Sequence, residues 1–418
     1  MPEKNATNTD ANSHAHTHAN HPTARSAVVV GGGIGGLAVA VGLRRIGWRV
    51  TVLERKAVGG EVGAGIALMS NAMRALESLG LGPAVKAGGR PQLSTGVRDG
   101  DGRWLSQVDG TALEAKLGTG IYSLHRAELH DILRGALPAD CGVVTGAEVT
   151  DITQDPNRAL VHYTGPGGTA TIGADLAVVA DGVNSRVRAR LWPDAPAPVY
   201  SGSTVWRGVT TEAFVPTPDI AQTLHDGAEI GVMPIRDGRV CWHMVTKAKA
   251  GVRHDNEWAE VWRRLDGLHD PIPALLKATA PEAVLHHDIH ILGTPLDTYV
   301  AGRVALLGDA AHAMPPHLGQ GACMAIEDAV VLAACLHTHQ NQATALATYD
   351  KTRRPRVAAV TKASHRMGRI QKAEGRLAVA MRNTAMRLTP PAVAMKAILK
   401  FADWTPPRIP LSDTGTTA

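Results

Sequence analysis

The segment GGGIGG at positions 31–36 constrains the fold of this chain more than any other feature. It directly follows the β-branched run 27–30 and precedes residues 37–45, whose apolar positions have helical spacing. In a strand–turn–helix unit of this kind, the glycines allow a tight turn, a close approach to a pyrophosphate and close packing of helix against strand. The helix start then offers free N–H groups to phosphates. These residues predict a Rossmann-type dinucleotide site.

An acidic residue ends the next predicted strand. Residues 49–53 form a second apolar run, and Glu54 follows it, 23 positions after Gly31. A carboxylate here accepts hydrogen bonds from ribose hydroxyls and repels a 2′-phosphate. FAD and NAD therefore fit this site, whereas NADP does not.

Two later motifs favour FAD over NAD. Residues 176–180 are predicted to form a buried strand that ends at Asp181-Gly182, and residues 302–309 a strand that delivers Asp309 at its C-terminal end. Ligands of open α/β sheets bind at that edge. A plain nicotinamide dehydrogenase needs neither motif.

Composition sets the outer bounds. With 418 residues, 44% of them hydrophobic, the chain is too long for one core, and two domains plus an appendage are expected. No run of about 18 apolar residues occurs, so no membrane span is predicted. Four scattered cysteines without CxxC spacing indicate reduced thiols and a cytoplasmic protein. No metal site is predicted, and no motif supports nucleic acid binding.

The two ends of the chain are unlike the middle. Residues 1–26 are polar and contain His14, His16, His18 and His21, which predicts a disordered tail, either a solvated arm or a weak metal binder. Residues 351–400 hold 13 Lys and Arg against the single acid Glu374. Helices are predicted over 357–386 and 392–401. This basic segment either caps an acidic body or contacts a membrane surface or another anionic partner.

Taken together, these motifs resemble the flavoprotein aromatic hydroxylases, the single-component FAD monooxygenases typified by p-hydroxybenzoate hydroxylase and salicylate hydroxylase. The resemblance covers residues 27–360. It implies that Asp309 holds the ribityl chain, that Asp181 lies near the pyrophosphate, that Arg126 contacts FAD and that Val149 contacts the adenine through its backbone. The segment 63–66 resembles the family loop beside the isoalloxazine, although Ser70 stands where a proline is usual. The predicted cofactor-binding residues are Gly31, Gly33, Gly35, Gly36, Glu54, Arg55, Gly65, Arg126, Val149, Asp181, Asp309, Gly319, Gly321 and Ala322.

The loop 315–321 leads into a helix predicted over 322–336. Backbone N–H groups at that helix start can face the flavin pyrimidine and stabilise an anionic reduced flavin by roughly 0.3 to 2 kcal/mol. Pro316 resembles the family proline near the reacting oxygen. His317 either faces the substrate or is a loop histidine without a chemical role. His312 is expected to be structural, and Glu327 and Asp328 are expected to cap or pair locally.

The resemblance also implies a reaction. NADH or NADPH reduces FAD, O2 adds at the flavin C4a, and the hydroperoxide transfers its terminal oxygen to an aromatic, heteroaromatic or polyene molecule, by hydroxylation or epoxidation. A reductase or desaturase without oxygen insertion and a non-catalytic flavin-binding protein stay open as alternatives. A flavin-dependent halogenase is disfavoured because no WxWxIP-like segment occurs among the eight tryptophans.

Substrate recognition is predicted in alternating strands such as 203–210 and 239–246. Val205, Arg207 and Val209 should share one face of the first strand. Arg207 resembles a WRG arginine that lies near substrate in part of the family; it binds an acidic or carbonyl group or forms a structural ion pair. His243 is a weaker candidate for a base. Arg207, Pro316 and His317 are the predicted catalytic residues.

The predicted architecture is α/β, with a discontinuous Rossmann-type FAD-binding domain, an inserted β-rich substrate domain and a C-terminal helical segment. Substrate identity, nicotinamide preference and oligomeric state stay open. The predicted divisions are a tail at 1–26, an FAD-binding domain at 27–90, 121–198 and 299–345, a substrate domain at 91–120 and 199–298, helices at 346–405 and a flexible tail at 406–418.

Overall fold

The computed structural model describes residues 24–57, 64–215 and 219–410. The predictions for His14, His16, His18, His21 and Gly63, and for the tail beyond residue 410, lie outside this part of the chain. Among the described residues, the strands are β1 (Ser26–Val30), β2 (Arg49–Glu54), β3 (Gly65–Leu68), β4 (Arg90–Gln92), β5 (Ser94–Asp99), β6 (Trp104–Asp109), β7 (Ile121–His125), β8 (Gly142–Thr145), β9 (Glu148–Gln154), β10 (Ala159–Gly165), β11 (Gly168–Ala174), β12 (Leu176–Val179), β13 (Val199–Val209), β14 (Ile220–His225), β15 (Ala228–Pro234), β16 (Val240–Lys247), β17 (Leu285–Ile291), β18 (Val300–Ala301) and β19 (Val304–Leu306).

The α-helices alternate with these strands in the first half of the chain and dominate after residue 309. They are α1 (Ile34–Arg45), α2 (Ser70–Ser78), α3 (Gly82–Gly88), α4 (Gly110–Leu117), α5 (Arg126–Gly135), α6 (Arg186–Leu191), α7 (Glu257–Leu265), α8 (Ile272–Lys277), α9 (Asp309–His312), α10 (Gly321–Thr338), α11 (Gln342–Gln371), α12 (Arg376–Arg387) and α13 (Pro391–Ala402). Pro281–Ala283 and Pro316–Leu318 form short 3-10 helices.

A six-stranded sheet carries the glycine motif. Its order is β18-β19-β12-β1-β2-β8, and every neighbouring pair is parallel except β18 with β19. The strands β1 and β12 are apolar and buried, as expected for a parallel sheet covered by helices on both faces. The predicted α/β class and the Rossmann-type arrangement are confirmed. The predicted strand 302–309 is too long: only 304–306 pair as β19, and Asp309 begins α9.

A second, seven-stranded sheet contains the strands predicted for substrate recognition. Its order is β17-β13-β16-β15-β14-β5-β6, and all neighbours are antiparallel except β14 with β5. One face is apolar: Trp206, Trp242 and Met244 pack with residues of α7 and α8. The opposite face of β13 and β16 carries Arg207 and His243, because side chains alternate along a strand. The predicted domain boundaries stay a prediction.

The C-terminal helices pack against the core and against one edge of the seven-stranded sheet. The helix α10 lies in the core and packs against α1, α2 and α11. Within the described residues it is the one helix long and apolar enough to cross a membrane, and 78% of it is buried inside the protein. Next, α12 contacts β6, and α13 contacts β6 and α2, so both cover the end of the seven-stranded sheet.

The single helix predicted over 357–386 is wrong. Helix α11 begins earlier, at Gln342, continues through Pro355 and ends at Gln371, and α12 starts only at Arg376. The break contains Gly375, whose φ of 83° lies in the left-handed region that glycine tolerates. Its N–H donates to Asp226 in the turn between β14 and β15 (2.7 Å), so a contact with the distant sheet interrupts the helix. The second predicted helix, 392–401, is confirmed as α13 within one residue at each end.

Candidate active site

The glycine turn leaves open space where a phosphate is expected. Gly31 has a φ of 104°, and a Cβ on Gly36 would lie 1.9 Å from the Gly31 carbonyl oxygen, so both positions require glycine. A Cβ on Gly33, by contrast, would meet nothing within 4 Å. Gly33 precedes α1, and no side chain caps that helix start. The backbone therefore presents unsatisfied N–H groups to an open cradle.

The carboxylate of Glu54 faces this turn from the end of β2. It accepts hydrogen bonds from the backbone N–H groups of Gly32 (2.6 Å) and Lys56 (2.8 Å). These bonds hold it beside the cradle, where a ribose is expected. Arg55, next in the chain, is exposed and lies 4.0 Å from Glu148. The buried Val149 follows Glu148 on β9.

A second aspartate motif lies beside the same cradle. Asp181 lies two residues after the end of β12, and a Cβ on Gly31 would lie 3.2 Å from its Cα atom. One carboxylate oxygen of Asp181 is buried without a hydrogen-bond partner among the described residues, and burial raises the pKa of this group. The neighbouring Gly182 has a φ of 87°, and a Cβ there would meet nothing within 4 Å. A buried polar atom beside open space is available to a ligand, and the glycines and backbone N–H groups present fit the diphosphate of FAD.

Arg126 connects the cofactor residues to the seven-stranded sheet. It begins α5, and its pKa is lowered by burial, raised by the charge of Asp309 and lowered further by the charge of Arg207. Asp309 begins α9 just after β19, on the sheet that carries the glycine turn. Arg126 thus senses a charge from each side, Asp309 from the cofactor side and Arg207 from the sheet side. Gly65 lies nearby on β3, where a Cβ would collide with Met233 and Cys241 of the seven-stranded sheet.

The predicted flavin loop is short and tightly held. Pro316–Leu318 forms one 3-10 turn, Gly319 has a φ of 62°, and α10 starts at Gly321, where a Cβ would meet nothing within 4 Å. Ala322 is the second residue of α10. Gln320 accepts a hydrogen bond from Asn71 Nδ2 (3.0 Å), so α2 fixes this loop. The free N–H groups of α10 thereby have a fixed direction.

A buried ionic cluster lies under this loop. Arg353 of α11 donates to Glu327 (2.7 Å) and Asp328 (2.6 Å), and all three side chains are fully buried. His312 donates to the other oxygen of Asp328 (2.6 Å), which supports its expected structural role. Burial opposes ionisation of Asp328, but His312 and Arg353 outweigh it and lower its pKa to about 2. The expectation that Glu327 and Asp328 pair locally is wrong, because the arginine comes from a different helix.

Arg207 lies on the polar face of the seven-stranded sheet. It lies on β13 opposite His243 of β16, and burial lowers the pKa of its guanidinium. Within the described residues no hydrogen bond or salt bridge joins it to a carboxylate. A desolvated guanidinium of this kind is suited to a planar anionic or carbonyl ligand.

The most buried charged cluster on this face centres on Glu229 of β15. Its Oε2 accepts a hydrogen bond from His317 Nδ1 (2.7 Å), its Oε1 accepts one from Gln222 Nε2 (2.7 Å), and Oε1 lies 3.7 Å from His243 Nε2. Burial alone would raise the pKa of Glu229, but the hydrogen bonds and charges of the two histidines outweigh it and hold the pKa at about 2. The predicted flavin loop is therefore attached to the seven-stranded sheet through His317.

Two glycines make room for these histidines. A Cβ on Gly231 would lie 2.0 Å from His243 Cε1, and a Cβ on Gly368 would lie 2.3 Å from His317 Cδ2. Helix α11 therefore lies directly against the His317 ring. Three residues later in α11, Gln371 donates to Gln222 (3.0 Å), so this helix forms a wall of the same cluster.

Sequence reasoning missed Glu229 and the residues of α11. One signal was available: in the strand AEIGVMP at 228–234, Glu229 is the only charged residue in an otherwise apolar run. The contributions of Gly368 and Gln371 had no local signal, because they depend on where α11 ends. The residues proposed for cofactor and substrate otherwise lie at two facing surfaces, the edge of the six-stranded sheet and the polar face of the seven-stranded sheet.

Comparison with known proteins identifies the family and the fold. The family model described as FAD binding domain matches residues 25–364. Aurachin C monooxygenase/isomerase of Stigmatella aurantiaca is 37% identical over 368 residues, which cover 88% of this chain and 94% of that protein. The 3-hydroxybenzoate 6-hydroxylase of Klebsiella oxytoca is 33% identical over 367 residues, covering 84% and 89%. The crystal structure of Klebsiella pneumoniae HpxO complexed with FAD and uric acid has a TM-score of 0.84 and 28% identity, covering 92% and 97%.

Proposed function

The chain belongs to the FAD binding domain family and is an FAD-dependent monooxygenase, and we propose that it uses NADH or NADPH and O2 to hydroxylate an aromatic or heteroaromatic molecule that carries an acidic hydroxyl, oxo or N–H group. When bound, FAD supplies the redox chemistry that activates O2. The protein supplies binding, orientation and exclusion of water.

One observation carries this proposal: Gly65 of β3, on the cofactor side, lies directly against Met233 and Cys241, which share the sheet face of Arg207. An aromatic ring held between these two surfaces would have the predicted flavin loop at one edge and the guanidinium of Arg207 at another. Arg207 would orient an oxygen of the ring, and the backbone around Pro316 would limit how the ring approaches the cofactor.

The acidic group of the substrate is suggested by the polar face and by the relatives. Arg207, His243 and His287 lie on one face of the sheet, and burial lowers the pKa of Arg207 and of His287. The relatives' names include aurachin C, 3-hydroxybenzoate and 3-amino-4-hydroxybenzoate. A site that combines a guanidinium with imidazoles suits a phenol-like or acidic heteroaromatic compound better than an unfunctionalised polyene.

The test uses FAD-loaded protein with a panel of hydroxylated aromatic and heteroaromatic compounds, NADH or NADPH, and isotopically labelled O2. A product that carries one labelled oxygen atom, with ligand-stimulated oxidation of one of the two nicotinamides, is expected. Oxidation of the nicotinamide without label in any product would favour the reductase or desaturase alternative. The position of the label and the unsaturation of the ring separate hydroxylation from epoxidation.

We also propose a cytoplasmic location. All four cysteines are free and buried, as suits a reducing compartment. Cell fractionation with a periplasmic and a membrane marker tests this proposal; recovery of the native protein outside the cytoplasmic fraction would contradict it.

A further inference from the structure

Glu229 is a buried carboxylate placed between imidazoles from two distant parts of the chain. His317 belongs to the predicted flavin loop and His243 to the seven-stranded sheet, and their ring nitrogens lie 2.7 Å and 3.7 Å from the Glu229 carboxylate. The side chain of Glu229 is 2% exposed, and an ionised carboxylate at such a depth is costly without close partners. Its close partners are the amide of Gln222 and the imidazoles of His243 and His317, and each imidazole can carry a proton.

We propose that Glu229 is a positioning residue for proton removal from the substrate: it holds His243 and His317 in a carboxylate–imidazole cluster, and His243 accepts the proton of an acidic O–H or N–H group on the bound aromatic ring. This proposal rests on the proposed function and names the class of substrate, an ionisable hydroxy- or aza-aromatic compound. Neither the family match nor the relatives' names assign a role to Glu229.

The two histidines have different roles. The His317 ring is almost fully buried, with Nδ1 bound to Glu229 and one edge against Gly368, so it attaches the loop to the sheet. The side chain of His243 is 38% exposed, its Nε2 faces Glu229, and its strand neighbour across β13 is Arg207. His243 is therefore the imidazole that a ligand beside Arg207 can reach.

The proton transfer is balanced without any further reactant. The substrate O–H or N–H bond breaks, an N–H bond forms on the His243 imidazole, and the electron pair stays on the substrate. The Glu229 carboxylate stabilises the imidazolium, and Arg207 stabilises the substrate anion. The anionic ring is richer in electrons, which favours transfer of an electrophilic oxygen to its carbon atoms.

Several further charged or titratable groups surround the cluster. Burial lowers the pKa of Lys372, at the end of α11, and the charge of Glu229 offsets this only in part. His365 of α11 has a pKa lowered by burial and by nearby cations that include His317. Arg207 of β13 and His287 of β17 lie on the same face of the sheet. The cluster thus combines one carboxylate with several cationic or titratable groups, so a substrate anion meets no excess of negative charge.

The sheet contains a matched pair that faces away from the site. Glu257 of α7 binds His286 Nδ1 (2.8 Å) and accepts from Trp206 Nε1 (2.8 Å), and His286 stacks on Trp206 with ring centroids 4.1 Å apart. Trp206 belongs to the apolar core formed with α7 and α8. This pair has the same chemistry as Glu229 with its histidines but lies on the opposite face, so Glu257→Gln serves as the control.

The experiment uses FAD-loaded wild-type protein and the variants Glu229→Gln, His243→Asn and Glu257→Gln, each titrated with 4-nitrophenol, whose phenolate is coloured. In the wild type and in Glu257→Gln, the bound probe should ionise at a pH at least about one unit below that of Glu229→Gln and His243→Asn. His243→Asn leaves the bond between Glu229 and His317 in place, so it keeps the test valid if Glu229→Gln folds poorly. Equal ionisation of the probe in all four proteins would overturn the proposal.

A second measurement needs no ligand. In histidine-labelled FAD-loaded protein, the nuclear magnetic resonance signal of the ring N–H that joins His317 Nδ1 to Glu229 is recorded. Glu229→Gln should remove the downfield signal typical of an imidazole N–H bound to a carboxylate, and Glu257→Gln should leave it unchanged. An unchanged signal in Glu229→Gln would overturn the proposal even if labelled oxygen enters a product. Failure of oxygen insertion in the wild type would instead count against the proposed function alone.

Discussion

The two facing surfaces of the candidate site are built in different ways. The cofactor surface is mainly backbone: glycines at positions 31, 33 and 36 give a tight turn, an open cradle and a close helix contact. The substrate surface is mainly side chains: Arg207, Glu229 and His243 come from three strands of the seven-stranded sheet, and α11 completes the wall. Backbone geometry imposes a local sequence pattern, whereas a side-chain cluster needs only that distant residues meet. The first surface can therefore be predicted from spacing, and the second largely cannot.

The largest expected effect is a loss of stability on replacing Arg353. It would show that the cofactor surface also depends on a residue far away in the sequence. Replacing Arg353 by Met leaves the carboxylates of Glu327 and Asp328 buried with fewer partners, and we expect the free energy of unfolding to fall by about 3–5 kcal/mol. Denaturant unfolding measures this. The neighbouring Arg354→Met removes a more exposed pair with Asp350 and should cost at most about 1 kcal/mol. Equal losses in the two variants would contradict the burial argument.

The second prediction sharpens the distinction by changing only the substrate surface. Arg207→Met should weaken substrate binding by roughly 10–100-fold, the size of a lost charged hydrogen bond, and leave FAD content and unfolding temperature near those of the wild type. Equilibrium binding of the substrate identified by the labelled-oxygen assay measures the effect. Arg98→Met is the control, because Arg98 lies over the Trp104 ring elsewhere in the same sheet. A large drop in stability for Arg207→Met would instead indicate a structural ion pair.

The third prediction changes only the cofactor surface. Gly36→Ala places a methyl group against the Gly31 carbonyl oxygen, so we expect a loss of about 1–3 kcal/mol in stability together with reduced FAD content after purification. Gly135→Ala, at the end of α5 with nothing within 4 Å of its Cβ, should stabilise by up to about 1 kcal/mol and keep full FAD content. Full FAD loading of Gly36→Ala would break the argument that close packing at this turn holds the cofactor.

The smallest expected effect is on stability at acid pH, to which each surface contributes one buried carboxylate. Glu229 and Asp328, one in each region, have pKa values lowered to about 2, below the value near 4 of an unfolded chain. Between about pH 4.5 and pH 2 the unfolded state binds more protons, so stability should fall as the pH decreases through this window. Glu229→Gln should reduce that acid-side loss by about 1–2 kcal/mol, measured by unfolding at pH 7 and pH 3. An unchanged pH dependence would indicate that Glu229 is not ionised in the folded protein.

Much of the cofactor half could be predicted from sequence. The strand before the glycines, the helix after them and the acid at position 54 follow from local patterns, and the structure places Asp181 and Asp309 after parallel strands of one sheet. The pairing of Arg353 with Glu327 and Asp328 could not be predicted, because it depends on how α10 packs against α11. For the same reason the sequence predicts one helix across Gly375, where the structure has a break between α11 and α12 and a bond from Gly375 to Asp226. Glu229 stood out in its strand, but its histidine partners are 14 and 88 positions away.

The contact between Gly368 and His317 bears on how specificity can be engineered in this family. Gly368 lies four residues beyond the region that the family model matches, yet it touches His317, which lies within that region. A chimera that exchanges C-terminal tails between relatives at residue 364 would therefore also exchange part of the pocket. Any tail with a residue other than glycine at position 368 would clash with the His317 imidazole and displace the loop that carries it. Selection for a new substrate should therefore vary the tail and the loop together as one cassette.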